Sequence, residues 1–433
     1  VGQGKGAWTP AKRNRSAVIY SSIGAIVEWY DFMLFAFLAP VFARVFFPTS
    51  DEIVSLLATF GVYAAGFLMG PLGSLVFGSL GDRLGRKFTL TLSVGLMAIP
   101  MLITAALPTY ATIGLAAPLL LLLMRLIQGF SVGGQYGGTM VLLVEDAPPD
   151  RRGFIASAAT ATSGVGVFLA SGMVTLITAL TTTAELDGGV WRIPYVFGFL
   201  LALTALIMRR RMAESQAFAH AQESGELSKT PLRSIFKEAP GPLLMCILLS
   251  AYANVTYYLL TSYLPAYLEN VIDVDHFKAS LATTIIAALF AITAPLFGRL
   301  SDQWGRKPLL LAATAGFLVL SVPAFLVLGG PSLTFFAILG AELVLLIPLG
   351  LLWGSYGAAA PELFPTKFRY TGTAIGYNLG NSVCGGSVAF IATGLIAATG
   401  STLAPAWILV AFAALSLVPM LRMRETLRVA IAT

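Results

Sequence analysis

The chain has 433 residues, of which 57% are hydrophobic and only 11% charged. A water-facing surface ordinarily draws on about 25% charged residues, so a soluble globular protein is excluded. Intrinsic disorder, which needs low hydrophobicity and high charge, is excluded too. Lipid must solvate most of this chain.

Residues 1–16 form a basic segment with Lys5, Lys12, Arg13 and Arg15 and no apolar core of signal-peptide length, so they read as a cytoplasmic tail. A bilayer core of about 30 Å needs roughly 20 apolar residues per helix. Runs of that kind, bounded by charges or Pro/Gly, predict twelve spans at 17–45, 52–78, 88–107, 112–142, 153–180, 191–208, 242–268, 277–298, 308–328, 333–360, 371–397 and 404–420. The polar stretch 209–241 separates two sets of six and reads as a cytoplasmic linker, with a second tail at 421–433. The predicted parts are therefore an N-terminal six-helix bundle, 17–208, and a C-terminal one, 242–420, in an all-α membrane protein.

Positive charge supports this count, because Lys and Arg accumulate in cytoplasmic loops. With both ends inside, 23 of the 27 basic residues fall on the cytoplasmic side. The exceptions are Arg44, Arg192 and Lys278 near the opposite face, and Arg125 within a span. The net charge of +6 thus follows topology and points to no nucleic-acid partner.

The chain also repeats itself. Gly78-Ser-Leu-Gly-Asp82-Arg-Leu-Gly85-Arg86-Lys87 returns 220 positions later as Gly298-Arg-Leu-Ser-Asp302-Gln-Trp-Gly305-Arg306-Lys307. Each copy lies between the second and third helix of a half. A second echo joins Glu145-Asp-Ala-Pro-Pro-Asp-Arg-Arg152 to Glu362-Leu-Phe-Pro-Thr-Lys-Phe-Arg369, at an offset of 217. Two homologous halves follow.

This doubled loop resembles the signature of the major facilitator superfamily. Val27-Glu28-Trp29-Tyr30-Asp31-Phe32, the run from Arg125 to Gly134, Trp191-Arg192-Ile-Pro194 and Pro361-Glu-Leu-Phe-Pro-Thr resemble its metabolite:proton symporter group. The resemblance implies two pseudo-symmetric bundles rocking about a central site, in a bacterial inner membrane. It also implies proton-driven carriage of dicarboxylates, citrate, shikimate, proline or betaine. Where that group commonly carries Glu, this chain has Gln135, which leaves an uncoupled exchanger open. The run Asn254-Val-Thr-Tyr-Tyr, followed by Thr261-Ser-Tyr-Leu-Pro265, resembles proline/betaine carriers and keeps a zwitterionic substrate in play.

Charge chemistry assigns roles within this frame. An acid in the signature loop can oppose a positive helix N-terminus or a basic partner. Asp82 with Arg152, Arg86 with Glu145, and the second-half set Asp302, Arg306, Glu362 and Arg369 are the expected gating latches. Charges inside the bilayer are costly and usually functional. Asp31 lies about 21 Å into its span, with Glu28 one turn closer to the cytoplasm. Arg125 and Glu342 are comparably deep, and Arg125, Gln128, Val132 and Gln135 form one stripe. Arg125 is expected to meet a substrate carboxylate, while Asp31, with Glu28, carries the coupling proton and pairs with Arg125 between substrates. Glu342 is divided between cavity and helix–helix contact.

In the second half, Asn254, Tyr257, Tyr258 and Thr261 share a helix face. Tyr377, Asn378 and Asn381 cluster, and Trp353 lies three turns from Glu342. The expected substrate-binding set is Arg125, Gln128, Gln135, Tyr136, Asn254, Tyr257, Tyr258, Trp353, Tyr377 and Asn381. Cys246 and Cys384 read as core residues, and His220 and His276 have no metal-ligand spacing. Gly66, Gly70, Gly372, Gly376 and Gly380 read as close-packing positions. No Walker sequence is present, so no ATP drive is expected.

The expectation is a monomeric secondary transporter, not an enzyme, with no cofactor or metal, that moves a small carboxylate-bearing metabolite with protons. The alternatives are a zwitterion symporter and an uncoupled exchanger. Asp82→Asn is expected to slow transport cycling in reconstituted vesicles while leaving substrate binding intact; unchanged turnover would remove Asp82 from the gate.

Overall fold

This computed structural model describes residues 10–84, 86–133, 136, 140–141, 143–144, 147–210, 236–330, 333–364 and 366–427. Side chains are described for these except 10–22, 78–84, 86–90, 209–210, 366–368 and 370.

The described chain is helical throughout, and its apolar helices match the twelve predicted spans one for one. Eight are single long helices: Glu52–Phe77, Arg152–Leu180, Pro240–Asn270, His276–Trp304, Arg306–Leu328, Phe335–Glu362, Thr371–Thr399 and Ala404–Arg422. Two more are bent pairs, Ile23–Phe37 with Ala39–Phe46 and Thr183–Val190 with Arg192–Met208. The third and fourth spans, Thr91–Ala106 and Ala116–Val132, are shorter.

Local chemistry sets the irregularities. The first span turns by 58° at Leu38, where Pro40, at the start of the next helix, can give no N–H to the preceding turn. The sixth span bends by 46° beside a π-helical turn, Leu186–Val190, in which Gly189 takes φ 141°. The predicted fourth span began at 112, but Tyr110–Ile113 is a separate turn closed by Gly114 at φ 58°. Asp51 caps the second span by accepting from the N–H groups of Ile53 and Val54. The signature-loop glycine Gly305 stands at φ 102°, a left-handed turn between the eighth and ninth spans.

Large apolar side chains such as Leu68, Leu119, Leu180, Ile292, Phe336 and Leu415 face outward, while Asp31, Arg125, Gln128, Asn254 and Glu342 are buried. That inversion is what lipid as solvent demands.

Within the first half, the glycine-rich second and fourth spans nest backbone to backbone: a Cβ on Gly129 would overlap the Gly66 carbonyl. Gly376 and Gly380 fit likewise against Cys246 and Ala251 of the seventh span. The glycines read as close-packing positions hold helices together inside each half at Gly66, Gly376 and Gly380, while Gly70 stands against Ser382 of the other half.

Among the described residues the halves pack most extensively elsewhere, where the fifth span runs along the eighth. A Cβ on Gly153 would stand 2.5 Å from the Gly298 carbonyl oxygen, and one on Gly298 would stand 2.6 Å from that of Gly153. Gly298 opens the second copy of the repeat, so the signature end of the molecule is shut by its own motif.

Overpacking a site this tight costs about 1–3 kcal/mol, equivalent to roughly a 5- to 150-fold shift between two conformers. Gly298→Val is therefore expected to hold the signature end open. A cysteine at Ser157, which touches Gly298, should react faster with a thiol reagent in that background than in Ser157→Cys alone; equal rates would show that the glycine seat does not close this end.

Candidate functional site

The deepest charged cluster joins the first and fourth spans. The Gln128 amide donates to Asp31 Oδ1 at 2.8 Å. Arg125 Nη1 donates to Gln128 Oε1 at 2.9 Å and to Asp31 Oδ2 at 3.4 Å. All three side chains are at most 2% exposed. The guanidinium also lies over the rings of Phe32, Phe35 and Tyr63, with centroids 4.9, 4.4 and 5.5 Å away. The expected Asp31–Arg125 pair forms, completed by Gln128 and wrapped in aromatic faces.

That cluster does not line the central cavity. The cavity is walled by Glu28, Trp29, Phe32, Phe67, Val132 and Tyr136 from the first half, and by Tyr258, Tyr377, Asn378 and Asn381 from the second. Phe32 is the partition, since it borders the cavity and also covers Arg125. In this conformation Arg125 and Gln128 are thus one layer behind the site to which they were assigned. Glu28 is the only charged group among the described lining residues.

Trp29 joins the two halves. Its ring meets Tyr136 edge-on at 5.9 Å, Tyr257 edge-on at 5.3 Å and Tyr258 in a stack at 5.9 Å. Tyr136 leans on Tyr377 at 4.9 Å, and Tyr257 on Trp353 at 5.0 Å. Trp353 and Asn254 support this wall rather than face the space: Trp353 Nε1 donates to the Ala253 carbonyl, and the Asn254 amide to that of Ser250. Trp29 Nε1 and Asn381 Oδ1 are buried with no hydrogen-bond partner among the described residues, and both residues border the cavity. The volume open to the centre of a water molecule is about 20 Å³, room for about one or two waters. This conformation is contracted around its site.

Of the predicted binding set, Tyr136, Tyr258, Tyr377 and Asn381 line the cavity, Tyr257, Trp353 and Asn254 back it, and Gln135 lies outside the described residues. Trp29, Phe32 and Phe67 were not anticipated as lining residues, while Asn378, grouped with Tyr377 and Asn381 in the sequence but left out of the binding set, lines it too. The available signal was Trp29 and Phe32 flanking Glu28 on one helix.

Both ends carry ties across the halves. At the signature end, Asp302 accepts from the Gly153 and Phe154 N–H groups at 2.7 and 2.8 Å, so an acid from the second half caps the N-terminus of the fifth span. Arg306 braces it, 2.8 Å from Asp302 Oδ1 and 3.3 Å from Glu362 Oε2. The backbone N–H groups of Arg306 and Lys307 donate to Glu425, beyond the twelfth span. Arg152 and Arg369 are buried at this end, with Arg152 in electrostatic reach of Glu362, Arg369, Arg306 and Asp302. The side chains of Asp82 and Arg86, and all of Glu145, lie outside the described residues, as does His220. At the far end, Arg44 pairs with Asp187 at 2.8 Å and reaches Glu269 of the second half at 3.6 Å. His276, which the sequence left without a role, bonds to Glu269.

The sequence profile of the Major Facilitator Superfamily matches residues 21–380. The chain is 34% identical over 424 residues to a proline/betaine transporter of Escherichia coli, covering 95% of this chain and 84% of the relative. It is 35% identical over 432 residues to an ectoine/proline transporter of Corynebacterium glutamicum, covering 96% and 85%. Among solved structures, a partially occluded inward-open form of the xylose transporter XylE from E. coli superposes with a TM-score of 0.77 at 17% identity, over 96% of this chain and 98% of that one. The shared fold, the doubled loop and the extent of these matches agree: the chain belongs to the major facilitator superfamily, as an integral membrane transporter.

Proposed function

We propose that this protein carries a small zwitterion of the proline or betaine kind together with protons, by alternating access. The observation that carries the reading is the composition of the cavity wall: one carboxylate, Glu28, set among Trp29, Phe32, Tyr136, Tyr258 and Tyr377. An ammonium or quaternary ammonium is attracted by aromatic faces, by about 2 kcal/mol or more when desolvated, and by the Glu28 charge. Asn378 and Asn381 bring amide groups that can donate to the solute's carboxylate. The names of the relatives point the same way. A dicarboxylate would meet Glu28 as a like charge, with Arg125 screened behind Phe32. The sequence-based preference for an organic acid thus yields to its zwitterion alternative.

Proton coupling is assigned to Asp31. Protonation there would cancel its attraction for Arg125 and loosen the first span against the fourth, one turn from the residue that meets the solute. The orientation that fits the charge sorting places both termini and the signature end in the cytoplasm of a bacterial cell. The parts are the two tails, two bundles and a linker at the boundaries given above, and the monomer contains a complete cavity.

Binding to the folded state stabilises by about 2.7 kcal/mol at a hundredfold excess over Kd. Betaine or proline is therefore expected to raise the Tm of the purified protein and citrate or succinate to leave it unchanged. Glu28→Gln and Trp29→Ala should each lose the shift. A shift with the acids alone would defeat the zwitterion reading.

Asp31→Asn is expected to keep solute exchange but lose the rise in uptake that wild type shows as external pH falls. Arg125→Ala strands the Asp31 charge, a loss of about 3–5 kcal/mol, and the double variant with Asp31→Asn should recover much of it in thermal denaturation. Retained pH dependence in Asp31→Asn would exclude this residue as the carrier.

A further inference from the structure

Glu342 stands in the tenth span, away from the central cavity, and is 4% exposed. Neither of its carboxyl oxygens has a hydrogen-bond partner among the described residues. They border a second small pocket walled by Leu260 and Leu264 of the seventh span, Ile286 of the eighth, and leucines of the same helix as Glu342. No charged or titratable side chain faces it from the seventh, eighth or ninth span among the described residues.

A buried acid kept for packing is ordinarily tied by hydrogen bonds. Glu362 is such a case, held by Arg306 and by the Thr426 hydroxyl. A carboxylate at Glu342 would have no counter-charge, which is costly, so the closed pocket holds the neutral acid. Even that form leaves an O–H and a C=O unpaired, a penalty that leucine at this position would avoid. The position is poor for stability and suited to a group that changes protonation when its surroundings open.

The wall over Glu342 is also the segment that must move. Leu260 lies in the π-helical turn Leu259–Tyr263, and Leu264 follows it; such turns concentrate at functional positions. The same turn sets Tyr263 against Phe60 of the first half, with ring centroids 5.5 Å apart. It directly follows Tyr258 of the central cavity. Parting the halves at the far end therefore pulls on Tyr263 and displaces the leucines that cover the carboxyl.

From the pocket, the unpaired oxygens and this shared turn, we infer that Glu342 is a second proton-carrying residue of the transport cycle. It takes a proton from water while the far end is open and holds it while Leu260 and Leu264 close over it. The step is a proton transfer alone: hydronium gives its proton to the hydrated carboxylate, one O–H bond breaking as another forms, the pocket closes over the neutral acid with the solute, and water takes the proton back once the signature end has opened. This inference rests on the proton-coupled reading above.

The test compares wild type with Glu342→Gln in proteoliposomes, following labelled proline and, with a pH dye, the protons that accompany it. The variant is expected to exchange proline at close to the wild-type rate without a gradient but to move roughly half as many protons per solute. An unchanged proton count overturns the inference. Should the amide impair folding, wild type treated with a carbodiimide, which attacks protonated carboxyls, supplies the readout. Labelling at Glu342, mapped by mass spectrometry, is expected to change rate when proline is added, and a rate indifferent to proline overturns the inference. If another solute moves with protons and Glu342→Gln halves them, the inference stands while the zwitterion reading falls. Solute movement without protons in wild type defeats both.

Discussion

The structure is organised around a buried carboxylate that cannot be left alone. Asp31 sits where no water or lipid headgroup can solvate it, and Arg125 and Gln128 of the fourth span supply the compensating donors. Because an unpaired charge there would cost several kcal/mol, this cluster pins the first span against the fourth and sets its rotation. Glu28, one turn away, is thereby aimed into the cavity, and Phe32 becomes the partition between cavity and ion pair. Glu28, which borders the cavity, and Asp31, which is buried against Arg125, lie on one helix three residues apart.

Much of the fold was legible because its determinants are local and repeated. Apolar runs, basic loops and the doubled Asp-x-x-Gly-Arg-Lys loop each depend on short stretches of chain, and together they led to twelve spans. A run with an internal proline is expected to bend, and the first span does so at Leu38, just before Pro40, although an apolar run does not show by how much. The site was legible at the level of residue type and illegible in depth. Arg125, Gln128, Val132 and Gln135 were read as one stripe, with all but Val132 assigned to the substrate, yet Arg125 and Gln128 turn toward the first span, and only Val132 of the described stripe reaches the space. Helical periodicity says which residues share a face, not which neighbour covers each part of it.

At the signature loop the expectation was drawn for Asp82, whose side chain lies outside the described residues, and the second copy of the loop shows what its counterpart does. An acid there was expected to meet either a helix N-terminus or a basic partner, and Asp302 does both, receiving the Gly153 and Phe154 N–H groups while Arg306 stands beside it. The two ends of the molecule use different chemistry for the same task. One is closed by a carboxylate on a helix terminus; the other joins the halves through Arg44 and Glu269, with His276 alongside. Opening either end exchanges these ties for water.

The seat formed by Gly153 and Gly298 has a further consequence. Main chain meets main chain there with the short Ser157 and Ser301 side chains and Arg306 alongside, so the contact rests on few long rotatable groups. Ordering long side chains costs up to about 2 kcal/mol each, and a joint whose centre is peptide and serine keeps that cost small. Such a joint behaves as a low-friction bearing, whose smoothness would be spoiled by longer side chains at its centre long before the fold itself suffered.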